Sequence, residues 1–296
     1  LTDMKGLVFT GVTAILLLSV VLPSLAYAVP SQATDIEITP KINVKGVKGH
    51  GEPLKQSATG ILGQSLESKA DKWAIVIGIS DYTGEANDLE YADNDAYDMK
   101  WALIKVYGYS PGKIVMLIDR EATRENILEA VDKLKGKVKS GDEVVFFYSG
   151  HGARGKANDG DKELIDEAIV PYECTAQTLI WDGELAQMFS GFATSRIILI
   201  FDSCYAGGMT DLKADGRIVV MACSESGLSY EFETLENGQF TYYFVEQGIT
   251  GGKADMYDHV ENQADVTVEE AFDYAKANCK YQTPAISDSF ANDLLP

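Results

Sequence analysis

EVVFFYSGHGARG fills residues 143–155, and its reading decides the fold. Val144 to Tyr148 are apolar without a break, the mark of a strand buried on both faces rather than one. The run halts at Gly150-His151-Gly152, where flanking side chains are absent and the backbone can be approached closely. The same strand pattern recurs outward from this stretch: WAIVIGI (73–79), KIVMLI (113–118), RIILIF (196–201), RIVVMAC (217–223) and a shorter EAIVP (167–171). Helical spacing separates the strands. Residues 93–107 carry Ala96, Met99, Leu103 and Val106 on one face, and Thr123 caps a helix over 124–138 bearing Ile127, Leu128, Val131 and Leu134. Asp182 opens a helix to Phe189, 239–248 reads as helical, and Thr267-Val268-Glu269-Glu270 forms a capping box for a last helix to Cys279. This alternation predicts an α/β fold whose mainly parallel central sheet has helices on both faces. In such sheets, sites gather at the carboxyl ends of the strands.

Composition narrows the function. Of 296 residues, 46% are apolar and 24% charged, enough for a globular core. The net charge of −20 opposes binding to nucleic acid or anionic lipid and suits a cationic substrate or bound calcium. Four cysteines and three histidines are too few for a zinc-rich or disulfide-stapled scaffold. Residues 4–28, MKGLVFTGVTAILLLSVVLPSLAYA, predict a secretory signal cleaved after Ala28, with an uncleaved anchor as the alternative; either places the remainder outside the cytoplasm. Residues 29–70 read as a linker or pro-segment, and 71–296 as the compact unit. His50 and His259 sit in polar surroundings and read as solvated.

Two strand ends carry the chemistry. His151 follows EVVFFYS, and Cys204 follows RIILIFDS in FDSCYAGG. If those strands are neighbours, an imidazole and a thiol emerge side by side. A thiolate is a strong nucleophile and a histidine can protonate a leaving amine, which together support acyl transfer through a thioester. The Gly152 N–H is placed to meet a developing oxyanion, with the Cys204 N–H as its partner. Cys174, Cys223 and Cys279 lack this setting and read as packing residues, with a disulfide at Cys174 or Cys279 left open. YSGHG does not fit a serine nucleophile elbow, and no phosphate-binding glycine fingerprint is present.

FFYSGHG followed about fifty residues later by LIFDSCYAGG resembles the caspase-like cysteine peptidases. The stretch DGDKELIDEAIVP (159–171) and the helix YADNDAYDMKWAL (91–103) resemble the metacaspase branch in particular. The resemblance implies a caspase-like three-layer sandwich and a cysteine endopeptidase cutting after Arg or Lys. It also implies that Asp95, Ser149 and Asp202 hold the basic side chain, and that no cofactor is required for the chemistry. Calcium is implied at Asp166, Asp182 and Asp211, with Asp159 and Asp161 as further oxygens, although Gly183 stands where the family often has a second aspartate. The implied partners are peptides with Arg or Lys before the scissile bond. Self-cleavage, where it occurs, is expected at Lys69 or Lys72. Two other readings stand beside this one: a legumain-like peptidase of different specificity, and a catalytically silent caspase-like binding module.

Overall fold

The computed structural model describes residues 33–46, 63–159, 163–255 and 265–296. The 4–28 segment, His50, Asp161 and His259 lie outside the described residues. In chain order the strands are β1 (Thr34–Thr39), β2 (Ile42–Val44), β3 (Lys72–Gly78), β4 (Ile114–Ile118), β5 (Glu143–Ser149), β6 (Gly152–Lys156) and β7 (Asp166–Ile169). They continue with β8 (Ile180–Trp181), β9 (Ile197–Asp202), β10 (Arg217–Met221), β11 (Tyr230–Phe232), β12 (Asn237–Gly238) and β13 (Ala285–Asp288). The helices are α1 (Ala92–Lys105), α2 (Arg124–Lys135), α3 (Asp182–Phe189), α4 (Gln239–Thr241), which widens into π-helical turns over Tyr242–Thr250, and α5 (Val268–Asn278).

The central sheet has six strands in the order β13-β10-β9-β5-β3-β4, and every pair except β13–β10 is parallel. Its strands are apolar on both sides because both sides are covered. Ile75, Phe146, Leu199 and Val219 pack with Ile127 and Val131 of α2 and Leu185 and Met188 of α3. The alternate residues Val76, Val145, Ile198 and Val220 pack with Met99 and Leu103 of α1, Phe244, and Phe272 of α5. Each such side chain removed from water contributes roughly 1.5–3 kcal/mol, so the three-layer architecture follows from period-two strands with two apolar faces. Glu143, buried at the start of β5, is matched by Arg196 Nε at 2.6 Å and Tyr109 Oη at 2.5 Å.

Helix ends follow their caps. Thr123 Oγ1 accepts from Asn126 N at 3.2 Å, and α2 closes at Gly136, two residues before the expected 138. At α5, Thr267 Oγ1 accepts from Glu270 N while Thr267 N donates to Glu270, the reciprocal box expected from the sequence.

Within the stretch read as a linker or pro-segment, residues 34–44 form β1 and β2. β1 pairs antiparallel with β6 in a four-stranded sheet, β1-β6-β7-β8, and β2 pairs parallel with β11 in a three-stranded sheet, β12-β11-β2. Lys72 begins β3 and its Nζ donates to the Tyr107 carbonyl at 2.7 Å, so the bond after it lies in the sheet; this opposes the expected cleavage at Lys72. All four cysteines are unpaired, so the disulfide left open at Cys174 or Cys279 is not formed. Among the described residues no helix is long and apolar enough to cross a membrane.

Candidate active site

β5 and β9 are adjacent, parallel and in register, with Ser149 opposite Asp202. His151 and Cys204 each lie two residues beyond that pair, so one register places imidazole and thiol at the same sheet edge. The two loops touch: a Cβ on Gly152 would stand 1.8 Å from the Cys204 carbonyl oxygen, so only glycine fits. Tyr205 turns the chain sharply away from the thiol in a left-handed conformation (φ 61°), a costly geometry for an aromatic residue.

His151 is buried and held on every side. Its ring stacks on Tyr82 with centroids 4.2 Å apart, its backbone N–H donates to Tyr82 Oη at 2.8 Å, and Tyr148 Oη donates to its carbonyl at 2.7 Å. Nε2 lies 2.5 Å from the Asn87 carbonyl, which can only accept, so Nε2 carries the proton and Nδ1 keeps its lone pair. That Nδ1 is buried without a hydrogen-bond partner. Burial pushes the imidazole down to about 4, against the Asn87 contact, and the Lys41 charge lowers it further. Burial pushes the Cys204 thiol up to about 11, against the Ser229 N–H and the Lys41 charge. In this arrangement the pair rests as neutral imidazole and thiol. The thiol donates to the Pro40 carbonyl at 3.3 Å and accepts from Ser229 N at 3.3 Å.

The structure brings Asp95, Ser149 and Asp202 together in one fully buried pocket beside Cys204. Ser149 Oγ donates to Asp95 Oδ2 at 2.7 Å. The pocket is filled by a residue that sequence reasoning missed, Lys41. Its Nζ lies 2.7 Å from Ser149 Oγ, 3.0 Å from Asp95 Oδ2 and 3.1 Å from Asp202 Oδ1. Nothing in the weakly periodic 29–70 stretch marks this lysine out; only the complementarity of an acidic pocket does. A surrounding set, also illegible in the sequence, fixes the carboxylates. Asp202 accepts from Ser229 Oγ at 2.6 Å and from Thr241 Oγ1 at 2.6 Å, and Asp95 Oδ1 accepts from Gly238 N at 2.8 Å and Asn237 Nδ2 at 3.2 Å. Gly238 forms part of the wall, since a Cβ there would come within 2.5 Å of Asp202 and 2.9 Å of the Lys41 ammonium.

Two carboxylates share one ammonium in a dry site, and the charges divide accordingly. Burial disfavours the Lys41 cation, but Asp202 and then Asp95 outweigh it and hold the lysine above its ordinary range. Burial pushes Asp95 up to about 7; Lys41 opposes that rise and the Asp202 charge adds to it. One positive charge thus compensates one carboxylate well and the second only partly.

A second acidic group lies behind the loop that follows Cys204. Carboxylate oxygens of Asp159, Asp166 and Asp182 come within 4.8 Å of one another, as do those of Glu163, Asp182 and Asp211. Asp182 belongs to both groups and so neighbours each of the other two sequence-predicted residues, Asp166 and Asp211, with Asp159 and Glu163 added. Gly183 leaves room for Asp159: its N–H donates to Asp159 Oδ2 at 2.9 Å, and a Cβ there would collide with that carboxylate. Burial, then the Asp159 charge, pushes Asp182 up to about 10. Burial, then Glu225 and Glu163, pushes Glu167 up to about 8. Asp159 Oδ1, Glu167 Oε2 and Asp182 Oδ2 are buried without a donor, the setting a hard cation with oxygen ligands satisfies.

Residues 72–213 match the family described as metacaspase, peptidase C14 domain. Over 147 residues the chain is 36% identical to metacaspase-8 of Arabidopsis thaliana, covering 47% of this chain and 38% of that protein. Over 148 residues it is 34% identical to metacaspase-1 of Schizosaccharomyces pombe, covering 47% and 35%. The matched stretch thus spans little more than a third of these relatives. The solved structure of protein GSU0716 from Geobacter sulfurreducens shares the fold, with a TM-score of 0.56 at 18% identity over 76% of this chain and 97% of that one. With its two parallel strand ends at the same sheet edge, the 72–213 stretch of this chain is metacaspase-like, similar to the peptidase C14 domain of that family.

Proposed function

We propose that the chain is an exported, calcium-activated cysteine endopeptidase that cuts after Lys or Arg. The observation that carries this reading is the Lys41 ammonium, bound by Asp95, Ser149 and Asp202 beside Cys204. A substrate lysine would take the same place, and a guanidinium could address both carboxylates. An uncharged asparagine side chain would leave two carboxylates buried without a counter-charge, which weighs against a legumain-like specificity.

The steps follow from the residues. Cys204 Sγ attacks the carbonyl of the residue seated in the pocket, and its proton passes to His151 Nδ1. The Gly152 and Cys204 N–H groups stabilise the oxyanion. His151 then gives the proton to the leaving amine, and a thioester remains. Water attacks the thioester with Nδ1 as base, releasing a carboxylate and restoring the thiol. The Asn87 carbonyl keeps the imidazole in the required tautomer throughout.

Calcium supplies charge compensation rather than chemistry. Asp159, Asp166 and Asp182, with Glu163 and Asp211 nearby, would hold it. Glu167 connects that cluster to the nucleophile loop, since its carboxylate lies where a Cβ on Gly208 would be. Export rests on the 4–28 segment.

Because Lys41 fills the pocket, the test uses both the intact chain and Lys41→Ala, each with chelator and with calcium. Fluorogenic Arg and Lys peptides are expected to be hydrolysed, Asp and Asn peptides not, and Cys204→Ala should abolish turnover. Absence of Arg and Lys turnover in every arm would refute the reading, and N-terminal sequencing of exported protein at Val29 tests the signal.

A further inference from the structure

The path of Thr34–Val44 is the feature the catalytic reading leaves unused. This segment crosses the active site from β6 to β11, with Lys41 in the pocket between. A lysine so seated is either a substrate awaiting cleavage or a plug.

Cleavage after Lys41 needs the thiol at the Lys41 carbonyl and the imidazole at the Ile42 nitrogen. Neither contact is present. Cys204 Sγ faces the carbonyl of Pro40, the residue before the lysine. The Ile42 N–H, which would become the leaving amine, donates to the Ser229 carbonyl at 2.9 Å and starts the β2–β11 ladder. The imidazole Nδ1, which would protonate that amine, is buried without a hydrogen-bond partner.

The polarity of the chain explains both absences. Moving from the pocket lysine toward the thiol, the segment runs backward, to Pro40; moving along β11, it runs forward, through Ile42, Asn43 and Val44, in a parallel pairing. A cleavable peptide must run forward from its pocket residue toward the thiol, because its own carbonyl comes next. Its preceding residues would then lie along β11 antiparallel. We propose that Thr34–Val44 is a built-in inhibitor that binds the active site in reverse, so that Lys41 fills the specificity pocket without being cut. The inference takes the pocket assignment from the proposed function and adds regulation.

Its anchorage combines strand pairing with side-chain contacts. Outside the pocket its backbone pairs with β6 and β11, and its ion pairs face water: Arg154 to Glu37 at 2.8 and 3.0 Å, Lys156 to Asp35 at 2.6 Å and, just beyond the segment, Lys45 to Glu90. Exposed pairs of this kind contribute little. Thr39 Oγ1 meets Tyr205 Oη at 2.9 Å, and Asn43 Nδ2 donates to the buried Glu231 at 3.0 Å. The Lys41 ammonium adds a buried charged contact to the two strand ladders that hold the segment. Being part of the same chain, it competes with substrate at the high effective concentration of a tethered ligand.

The experiment is site-resolved alkylation of the full chain by iodoacetamide, read at Cys204 by peptide mass spectrometry, beside Arg-peptide turnover. Lys41→Ala is expected to raise both rates about tenfold or more over the parent, and Lys41→Arg to leave both near parental. Circular dichroism melting checks that each variant is folded, and the Arg variant keeps the test valid if the Ala variant is not: an Arg variant alkylated much faster than the parent overturns the proposal. Equal alkylation of Cys204 in parent and Lys41→Ala also overturns it, as does efficient self-cleavage between Lys41 and Ile42 in the parent. Faster alkylation without any peptide turnover supports the plug and refutes the peptidase reading, so the two failures are distinct.

Discussion

Asp202→Asn, made in the Lys41→Ala chain, isolates the charge proposed to select the substrate. The change keeps the volume of a fully buried side chain. Its hydrogen bonds can be kept as well: the amide oxygen can accept from Thr241 N and Oγ1, and the amide nitrogen can donate to Ser229 Oγ, whose hydroxyl turns to accept. That nitrogen then points at the place held by the ammonium, 3.1 Å from Oδ1. A favourable charge contact becomes a meeting of two donors. Removing one partner of a buried ion pair costs ~3–5 kcal/mol. The remaining Asp95 and Ser149 favour the lower end, ~3 kcal/mol, which is roughly 150-fold in kcat/KM for Arg and Lys peptides. The assay compares kcat/KM for Arg, Lys and uncharged Gln peptides in the single and double variants. A loss below about fivefold on Arg and Lys would refute the pocket argument. So would an equal loss on any residual Gln activity, because that would report damage to the fold rather than a missing charge.

Three further outcomes are expected. Alkylation of Cys204 in the parent chain should stay slow through neutral pH and rise toward pH 11, because burial holds the thiol near 11; in Lys41→Ala, where water reaches the site, the rise should begin at lower pH, and identical profiles would contradict this. Gly152→Ala should force apart loops that leave 1.8 Å for the new methyl, at a cost of about 2 kcal/mol and a Tm lowered by about 5 °C, with loss of turnover; a parental Tm and rate would show that the loops are not in contact. In chelator, Tm should fall as pH rises from 6 to 9. Glu167 and Asp182 have folded pKa values, about 8 and about 10, above their unfolded ones, so the native state binds the extra protons and loses stability as they leave. Millimolar calcium should flatten or reverse that slope, and a Tm independent of both pH and calcium would remove the cation argument.

The sheet was legible because its strands are buried on both faces, and a continuous apolar run such as Val144–Tyr148 has no competing explanation of that length. The Cys204 and His151 loops were legible for the same reason, since each ends such a run. The strands that shape the cleft were not. β2, β8, β11 and β12 are two or three residues long, and β6 (GARGK) mixes glycine and charge with a single alanine, so none carries a pattern of its own. Asp95 and Ser149 entered through resemblance; the partners that fix Asp95 and Asp202, namely Ser229, Asn237, Gly238 and Thr241, come together only through tertiary pairing. Lys41 is the sharpest case. In the sequence it is one lysine in a polar stretch, and in the fold it is buried with two carboxylates. Part of the acidic character seen at the outset thereby acquires a local purpose: Asp95 and Asp202 face a cation from the chain itself, and Asp159, Asp166 and Asp182 form a separate cluster.

The central claim is that Cys204 attacks the carbonyl of a basic residue seated between Asp95 and Asp202. Labelling with a peptidyl chloromethyl ketone tests it most directly, since that reagent alkylates a nucleophile only after its own side chain has entered the pocket. With the Lys41→Ala chain, intact and peptide mass spectrometry should find one adduct, on Cys204, from the arginyl reagent and almost none from the aspartyl one. Equal labelling by the two reagents, or an arginyl adduct on Cys174 or Cys279 in place of Cys204, would contradict it.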